Sequence, residues 1–480
     1  MKKVLISGVL ALQFFTAVLA QESKIYSLEE CIDVAIENNL LIKRSRLNLA
    51  SQEVNLKQTR ASQLPNANLG WNFGYNWGRS IDPTTNQFIQ QRINSSGFNG
   101  NSSVTLFNGL QQYYSVNQGR LNIEGAEADL EDAKNDISLT IATSYLNVLL
   151  NKELLANARF QLESSQTQLD RMKILVESGA MPITNQLQLE SQLASNEVSV
   201  INAQNGVDLA FLSLKQGMLL PASEDIDIEA PNINVEGEEQ LAGSTQEIYD
   251  IAADAQPDIK SADLGVDAAV LGIKIAQGGM SPVVSLGGGF STNYSDAFSE
   301  RFVSDGTTST QVVPTSLSTA SGEAVFLSEE APNGSVENFG YGDQFDENLS
   351  WNLGIGISIP IFNGLQTRSN IQRSQIALAQ AEINAVEQRN ILRQNIESAY
   401  ADALAASKTY EASVRQVSAL EETFRSLENQ YNLGAANFTD YQVASNNLFQ
   451  ARSDLLRSKY DFVFKKKILE FYQGKSLLLE

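Results

Sequence analysis

Leu349-Ser350-Trp351-Asn352-Leu353-Gly354-Ile355-Gly356-Ile357-Ser358-Ile359-Pro360-Ile361 runs directly into Phe362-Asn363-Gly364-Leu365-Gln366. The first thirteen residues alternate apolar with small or polar side chains, the period of a strand with two different faces. The last five end that alternation at a glycine turn. Beyond it, proline-free sequence continues at helical spacing to Leu433. A two-faced strand joined to a very long helix is an unusual pairing, and the chain contains it twice. Phe107-Asn108-Gly109-Leu110-Gln111 precedes its counterpart by 255 residues, and the same offset carries Tyr145 onto Tyr400, Gly179 onto Gly434 and Thr184 onto Thr439. Upstream the offset is 217, where Ile42-Lys43 meets Ile259-Lys260 and Pro65 meets Pro282. The difference falls in the connections before the two Phe-Asn-Gly-Leu joins, as expected of an internal two-fold repeat with a tolerant loop.

Three further segments keep the period of two. Leu69, Trp71, Phe73 and Tyr75 alternate with Gly70, Asn72, Gly74 and Asn76; Val284, Leu286, Phe290 and Tyr294 share a face with Gly288; Val104 and Leu106 alternate with Ser103 and Thr105. One apolar and one small polar face suits a strand with lipid outside and water inside. Trp71, Trp77 and Trp351 fit interfacial girdles. Four strands cannot close a barrel, since the smallest membrane barrels have about eight, so several copies must each lend four. Three copies would give twelve strands. The tips between strands, 77–98 and the enlarged 295–347, read as external loops, the latter mobile and rich in Ser, Thr, Gly and Asn.

Helical stretches are expected at about 28–61, 109–178, 184–217, 247–277, 364–433 and 439–472. The longest would span on the order of 100 Å at ~1.5 Å per residue, far above the globular mean. Such helices need coiled-coil or helical-barrel partners. Ser27-Leu28-Glu29-Glu30 reads as a capping box at the first of them. Gly179 and Gly434 can take the left-handed conformation that ends a helix, and Thr184 and Thr439 are placed to cap the next.

Residues 1–20 read as a secretory signal: Lys2 and Lys3, an apolar run to Leu19, and small residues before a cut at Gln21. Without Lys2 and Lys3 the chain has 32 basic and 56 acidic residues, a charge of −24, which argues against nucleic-acid binding. Cys31 is the single cysteine, excluding an intrachain disulfide, and the absence of histidine excludes imidazole metal sites and His-based catalysis. No nucleotide loop or cofactor motif is present, and paired acids such as Glu29-Glu30 and Glu421-Glu422 read as solvated helix faces, so an enzyme is not expected. The organisation expected is a first repeat over 21–245 and a second over 246–480. Between them, 218–246 reads as an acidic linker around the waist of the helices, its charge serving solvation.

These features together resemble the TolC-type outer-membrane efflux proteins, over essentially the whole mature chain. The resemblance implies a mainly α protein with membrane β structure: a long coiled-coil α-helical barrel joined to a transmembrane β-barrel that forms by oligomerisation, as a homotrimer in outer-membrane lipid. It implies an exit duct docking to a periplasmic adaptor and an inner-membrane transporter. It also assigns the breaks 177–185 and 432–440 to helical-hairpin tips. Gly179, Ala180, Met181, Thr184, Gly434, Ala435, Ala436 and Thr439 would then face the adaptor. Asp440, Tyr431, Asn185 and Val443 would form the pore constriction, with Asp440 in the acidic ring and Tyr431 lining the gate. Asn185, Ala436 and Val443 depart from the family's aspartate, arginine and second acid, so its salt-bridged lock is expected to be absent or rebuilt. A duct for type I protein secretion and a non-conducting elongated surface protein are the alternatives.

Overall fold

The computed structural model describes residues 24–81, 86–90, 92–231 and 243–475. The signal reading of 1–20, and parts of the 77–98 loop and of the 218–246 linker, lie outside them. In chain order the elements are β1 (Lys24–Tyr26), α1 (Leu28–Asn38), α2 (Leu40–Ala61), β2 (Asn66–Asn76), β3 (Arg79–Ile81), β4 (Phe88–Gln90) and β5 (Ile93–Phe107). Then come α3 (Gln111–Glu177), α4 (Ile183–Gly217), β6 (Ile226–Ile228), α5 (Thr245–Ala255), α6 (Pro257–Gly278), β7 (Val283–Ser295), β8 (Glu300–Ser318) and β9 (Ala324–Asn338). The last are α7 (Tyr341–Glu347), β10 (Ser350–Ser358), α8 (Gln366–Asn432) and α9 (Phe438–Tyr472). Helix lengths match between the halves: α3 and α8 have 67 residues each, α4 and α9 have 35.

The two early helical stretches are each broken once, where unbroken helices were expected. At Asn39 the backbone turns extended and the side-chain oxygen accepts the Leu41 N–H at 2.7 Å, starting a new helix. At Gln256 the cause is Pro257, which pushes its predecessor out of the helical region and then sits at the first position of α6. Both α1 and α5 open on reciprocal capping boxes, Ser27 with Glu30 and Ser244 with Glu247.

Two compact units can be described separately, one within 1–52, 121–266 and 380–480, the other 53–120 and 267–379. In the first, the main core joins Leu28, Cys31 and Ala35 of α1 to Ile141, Tyr145 and Leu149 of α3, Leu214 of α4 and Phe462 of α9. Burying one such large side chain stabilises by about 1.5–3 kcal/mol. The acidic stretch after α4 is not a solvated linker throughout. Residues 226–228 form β6, parallel to β1, and bury Ile226 and Ile228 in the same core. Alternation hides an apolar edge inside Asp225-Ile226-Asp227-Ile228, and Asp227 pairs with Lys152 at 2.7 Å. Tyr145 donates to the Glu229 carbonyl at 2.7 Å, closing this corner.

The second unit holds an antiparallel sheet in the order β10-β7-β5-β2. Register puts Trp351, Phe290, Gly100 and Leu69 in one cross-strand row, and Ile355, Leu286 and Val104 in another. On that face Leu69, Trp71, Trp351, Leu353 and Ile357 are each about two-thirds exposed or more. Asn68, Gly70, Asn72, Asn101, Ser103, Gly287, Asn352 and Gly354 occupy the other face, and these four strands contain no charged residue. No described helix is long and apolar enough to cross a membrane; the exposed apolar surface just described lies on strands.

Two differences from the sequence reading stand out here. The strand expected to be weakest, around Val104, is the fifteen-residue β5, starting at Ile93 inside what read as loop. Its apolar face is interrupted by Gly100 and Ser102, because a side chain at Gly100 would collide with Phe290 and Leu69, whose bulk covers the gap. The 295–347 segment is likewise not an unstructured loop. It folds as the β8–β9 hairpin followed by α7. Buried Gln344 anchors it, donating to the carbonyls of Phe298 and Phe339 at 2.8 and 2.9 Å and accepting the Ser295 N–H at 2.9 Å.

The Phe-Asn-Gly-Leu joins have a shared backbone solution. Gly109 and Leu110 both have positive φ, 68° and 63°, as do Gly364 and Leu365, 63° and 66°. Two consecutive left-handed residues reverse the chain, with Gln111 and Gln366 donating to Asn108 and Asn363. Leucine there costs roughly 1–2 kcal/mol, a strain repeated at both joins.

Candidate gate and docking tips

Helices α3 and α8 end in the same hydrogen-bond pattern. The Gly179 N–H donates to the Val176 carbonyl and Ala180 to Leu175; Gly434 donates to Tyr431 and Ala435 to Gln430. Both glycines sit at φ near +75°, the Schellman ending that the sequence indicated. The starts of α4 and α9 differ from expectation and from each other. Thr184 and Thr439 do not cap: they lie inside the first turn, one position beyond the residues Ile183 and Phe438 that open the helices. The cap of α4 is Pro182, which makes no side-chain hydrogen bond. Asn437 caps α9, accepting the Asp440 N–H at 2.8 Å while its Nδ2 donates to the Asp440 carboxylate at 2.7 Å.

Below the turns the two hairpins share one apolar cluster. Leu169, Met172 and Leu189 come from the first hairpin, Phe438 and Tyr441 from the second, with Met181, Phe424 and Tyr431 packed around them. Tyr431 stacks on Tyr441 with centroids 5.0 Å apart and planes 17° from parallel. Burial pushes the Tyr441 hydroxyl up to about 12, and it accepts a hydrogen bond from Gln168 at 2.8 Å.

The sequence-derived residues therefore divide. Met181 and Tyr431 meet in the shared cluster. Asn185 is half-buried and donates to the Met181 sulfur at 3.8 Å, within its own hairpin. Asp440 and Val443 are exposed, as are Gly179, Ala180, Thr184, Gly434, Ala435 and Thr439, while Ala436 is half-buried. Among the described residues no ion pair involves Asp440.

A polar layer was not anticipated. Gln442 donates to Asn446, Asn446 to Gln192, Gln192 to Asn196 and Asn196 to Ser165, linking the two hairpins. The Gln442 Oε1 at one end is buried without a partner. Amides four apart, Gln192/Asn196 and Gln442/Asn446, were the available signal. Higher in the same unit Asp132 is pushed up to about 6, by burial first and then by Asp136, Asp258 and Asp129. Among the described residues no group of three acids or cysteines is placed to hold a metal.

Known proteins share this architecture. A family described as outer membrane efflux protein matches residues 31–218 and 248–466. The outer membrane protein TolC of Escherichia coli is 21% identical over 421 residues, 86% of this chain and 74% of that protein. BepC of Brucella suis, an outer membrane efflux protein, is 20% identical over 93% of this chain and 85% of its own length. In fold, the outer membrane protein VceC of Vibrio cholerae superposes with a TM-score of 0.71 at 16% identity, over 94% of this chain and 96% of its own. The CmeC outer membrane channel of Campylobacter jejuni gives 0.66 at 14% identity, over 94% and 87%.

Proposed function

The chain belongs to the outer membrane efflux protein family, and on that premise we propose that it is the exit duct of a tripartite efflux pump. It is an outer-membrane transport protein of a family made of channels rather than enzymes. The observation that carries the finer reading is the open sheet. Its edges, β2 and β10, have no partner among the described strands, while one face is apolar and exposed. In hydrocarbon each unpaired backbone group costs several kcal/mol, so the edges must pair with those of neighbouring copies. Three copies of four strands enclose a twelve-stranded barrel whose inner face is the uncharged Asn, Ser and Gly surface. The two tandem halves, 21–245 and 246–480, each supply two of the strands and one helical hairpin.

At the helical end, the tips around Gly179 and Gly434 dock a periplasmic adaptor, and an inner-membrane transporter supplies the energy. Transport through the duct itself is passive. Gating is a splaying of the two hairpins, opposed by the Met181, Tyr431 and Tyr441 cluster rather than by an acid–arginine lock. Asp440 rings the constriction and attracts cations. Planar-bilayer recording of the detergent-purified full chain tests this reading. The expected result is a cation-selective channel with measurable resting conductance, whose selectivity falls in Asp440→Asn. An almost closed channel indifferent to that substitution would contradict it.

A further inference from the structure

The strand residues on the exposed apolar face of β2 form a continuous ladder of rings. Trp71, Phe73, Tyr75 and Trp77 follow at centroid spacings of 6.4, 5.5 and 6.0 Å, and the last of them is 76% exposed. The ladder ends where charge begins. Arg79 lies three residues beyond Asn76, and Arg92 immediately precedes Ile93, the strand partner of Asn76. Both arginines are therefore at the end of the β2–β5 pair away from α2 and α3, which join its other end.

Their contacts are unusual for a chain with 56 acidic residues. The Arg92 guanidinium covers the Tyr75 ring at 5.3 Å, and its only carboxylate among the described residues is Asp296, at 3.9 Å. Asp296 is itself held by the Asn94 N–H at 2.7 Å. Arg79 covers the Phe88 ring at 4.8 Å, and no described carboxylate pairs with it. Arg301, by contrast, is taken by Glu347. The other described acidic residues of the outer segments lie on β8 and β9, Glu300, Asp305, Glu329, Glu330 and Glu337, at Glu323 between them, and on α7, Asp343, Asp346 and Glu347. A ring beside each guanidinium holds it in place. The Arg79 N–H groups have no carboxylate among the described residues and those of Arg92 only one, at 3.9 Å, which leaves donors for a phosphate that can be taken bidentately. Aromatic rings at the edge of an apolar band mark the level of lipid headgroups.

We propose that Arg79 and Arg92, with Tyr75, Trp77 and Phe88, form a binding site for the phosphate groups of membrane-lipid headgroups at the outer rim of the sheet. The site rests on the reading of this sheet as lipid-facing. It would fix the depth of the sheet in the bilayer and retain phosphorylated lipid around the duct.

The test uses the full chain purified in neutral detergent and titrated with diphosphorylated lipid A or its fully dephosphorylated form, with bound lipid counted by native mass spectrometry. The expected preference for the phosphorylated form is about tenfold or more, and Arg79→Gln/Arg92→Gln reduces it to about twofold or less. Arg79→Lys/Arg92→Lys keeps part of the preference, because charge remains while the planar fork is lost. Excess inorganic phosphate is expected not to displace the lipid. Equal binding of the two lipids, an unchanged preference in the glutamine variant, or displacement by free phosphate would each overturn the proposal. A particle that conducts ions yet shows no preference defeats this inference alone, whereas failure to form a detergent-soluble conducting particle defeats the duct reading beneath it.

Discussion

The two halves of the chain build the same lengths of helix with different chemistry, and the difference is concentrated where the helices turn. The first tip is aliphatic and uncapped: Met172, Val176, Met181 and Pro182. In the second, Tyr431 stands at the counterpart of Val176, Asn437 at that of Pro182 and Tyr441 at that of Gln186, giving an aromatic, capped turn. Both keep the left-handed glycine, because the backbone geometry of the turn requires it. Shared backbone solutions thus fix the scaffold, while side chains divide the labour. The second hairpin supplies the aromatic part of the shared cluster, and the first packs adaptable methionines against it.

The largest expected asymmetry comes from removing an aromatic ring from that cluster. Tyr441→Ala should destabilise the helical unit by about 3–5 kcal/mol, as for other large aromatic truncations, whereas Gln186→Ala at the corresponding position should cost less than about 1 kcal/mol. Thermal denaturation in detergent would measure both, and equal losses would break the comparison.

A second asymmetry depends on pH. Asp132 is half-buried beside Asp136 and Asp258, while its counterpart Glu387 is exposed. Its folded pKa of about 6 lies above the usual carboxylate value, so folding favours the protonated form. The resulting penalty is absent below about pH 4, grows between about 4 and 6 and is fully present above that. Asp132→Asn should therefore raise stability at pH 7.5, by of order 1–2 kcal/mol after allowing for screening, with the gain vanishing toward pH 4. Glu387→Gln, at an exposed surface position, should change stability by less than about 0.5 kcal/mol. A pH-independent gain at position 132 would point to packing instead of charge.

The smallest effect sharpens the contrast in caps. Asn437→Ala should cost about 1 kcal/mol and raise hydrogen exchange in the first turn of α9, while Asn437→Ser, which keeps a capping oxygen, should cost less. No equivalent loss is available at Pro182, which makes no side-chain cap.

Much of this was legible where one physical pressure acts alone. The 349–358 alternation reads directly because exposed apolar and small polar positions alternate at every residue, and the glycine turns read because few residues tolerate positive φ. Legibility failed where a neighbour supplied what the local sequence lacked. β5 lost its pattern at Gly100 because Phe290 fills that space. β8 and β9 carry apolar residues on adjacent positions, Val312-Val313 and Phe326-Leu327, so no period of two appears. The caps were misplaced by two residues because threonine has the right chemistry, and only backbone geometry shows that Asn437 holds the place. The amide chain from Gln442 to Ser165 was invisible because its members lie on three different helices.

Closure of the sheet through neighbouring copies is most directly tested by the native mass of the detergent-extracted mature chain. Three copies per particle is the expected result, with edges β2 and β10 sealed between them. A stable single copy that stays in solution without detergent would contradict it.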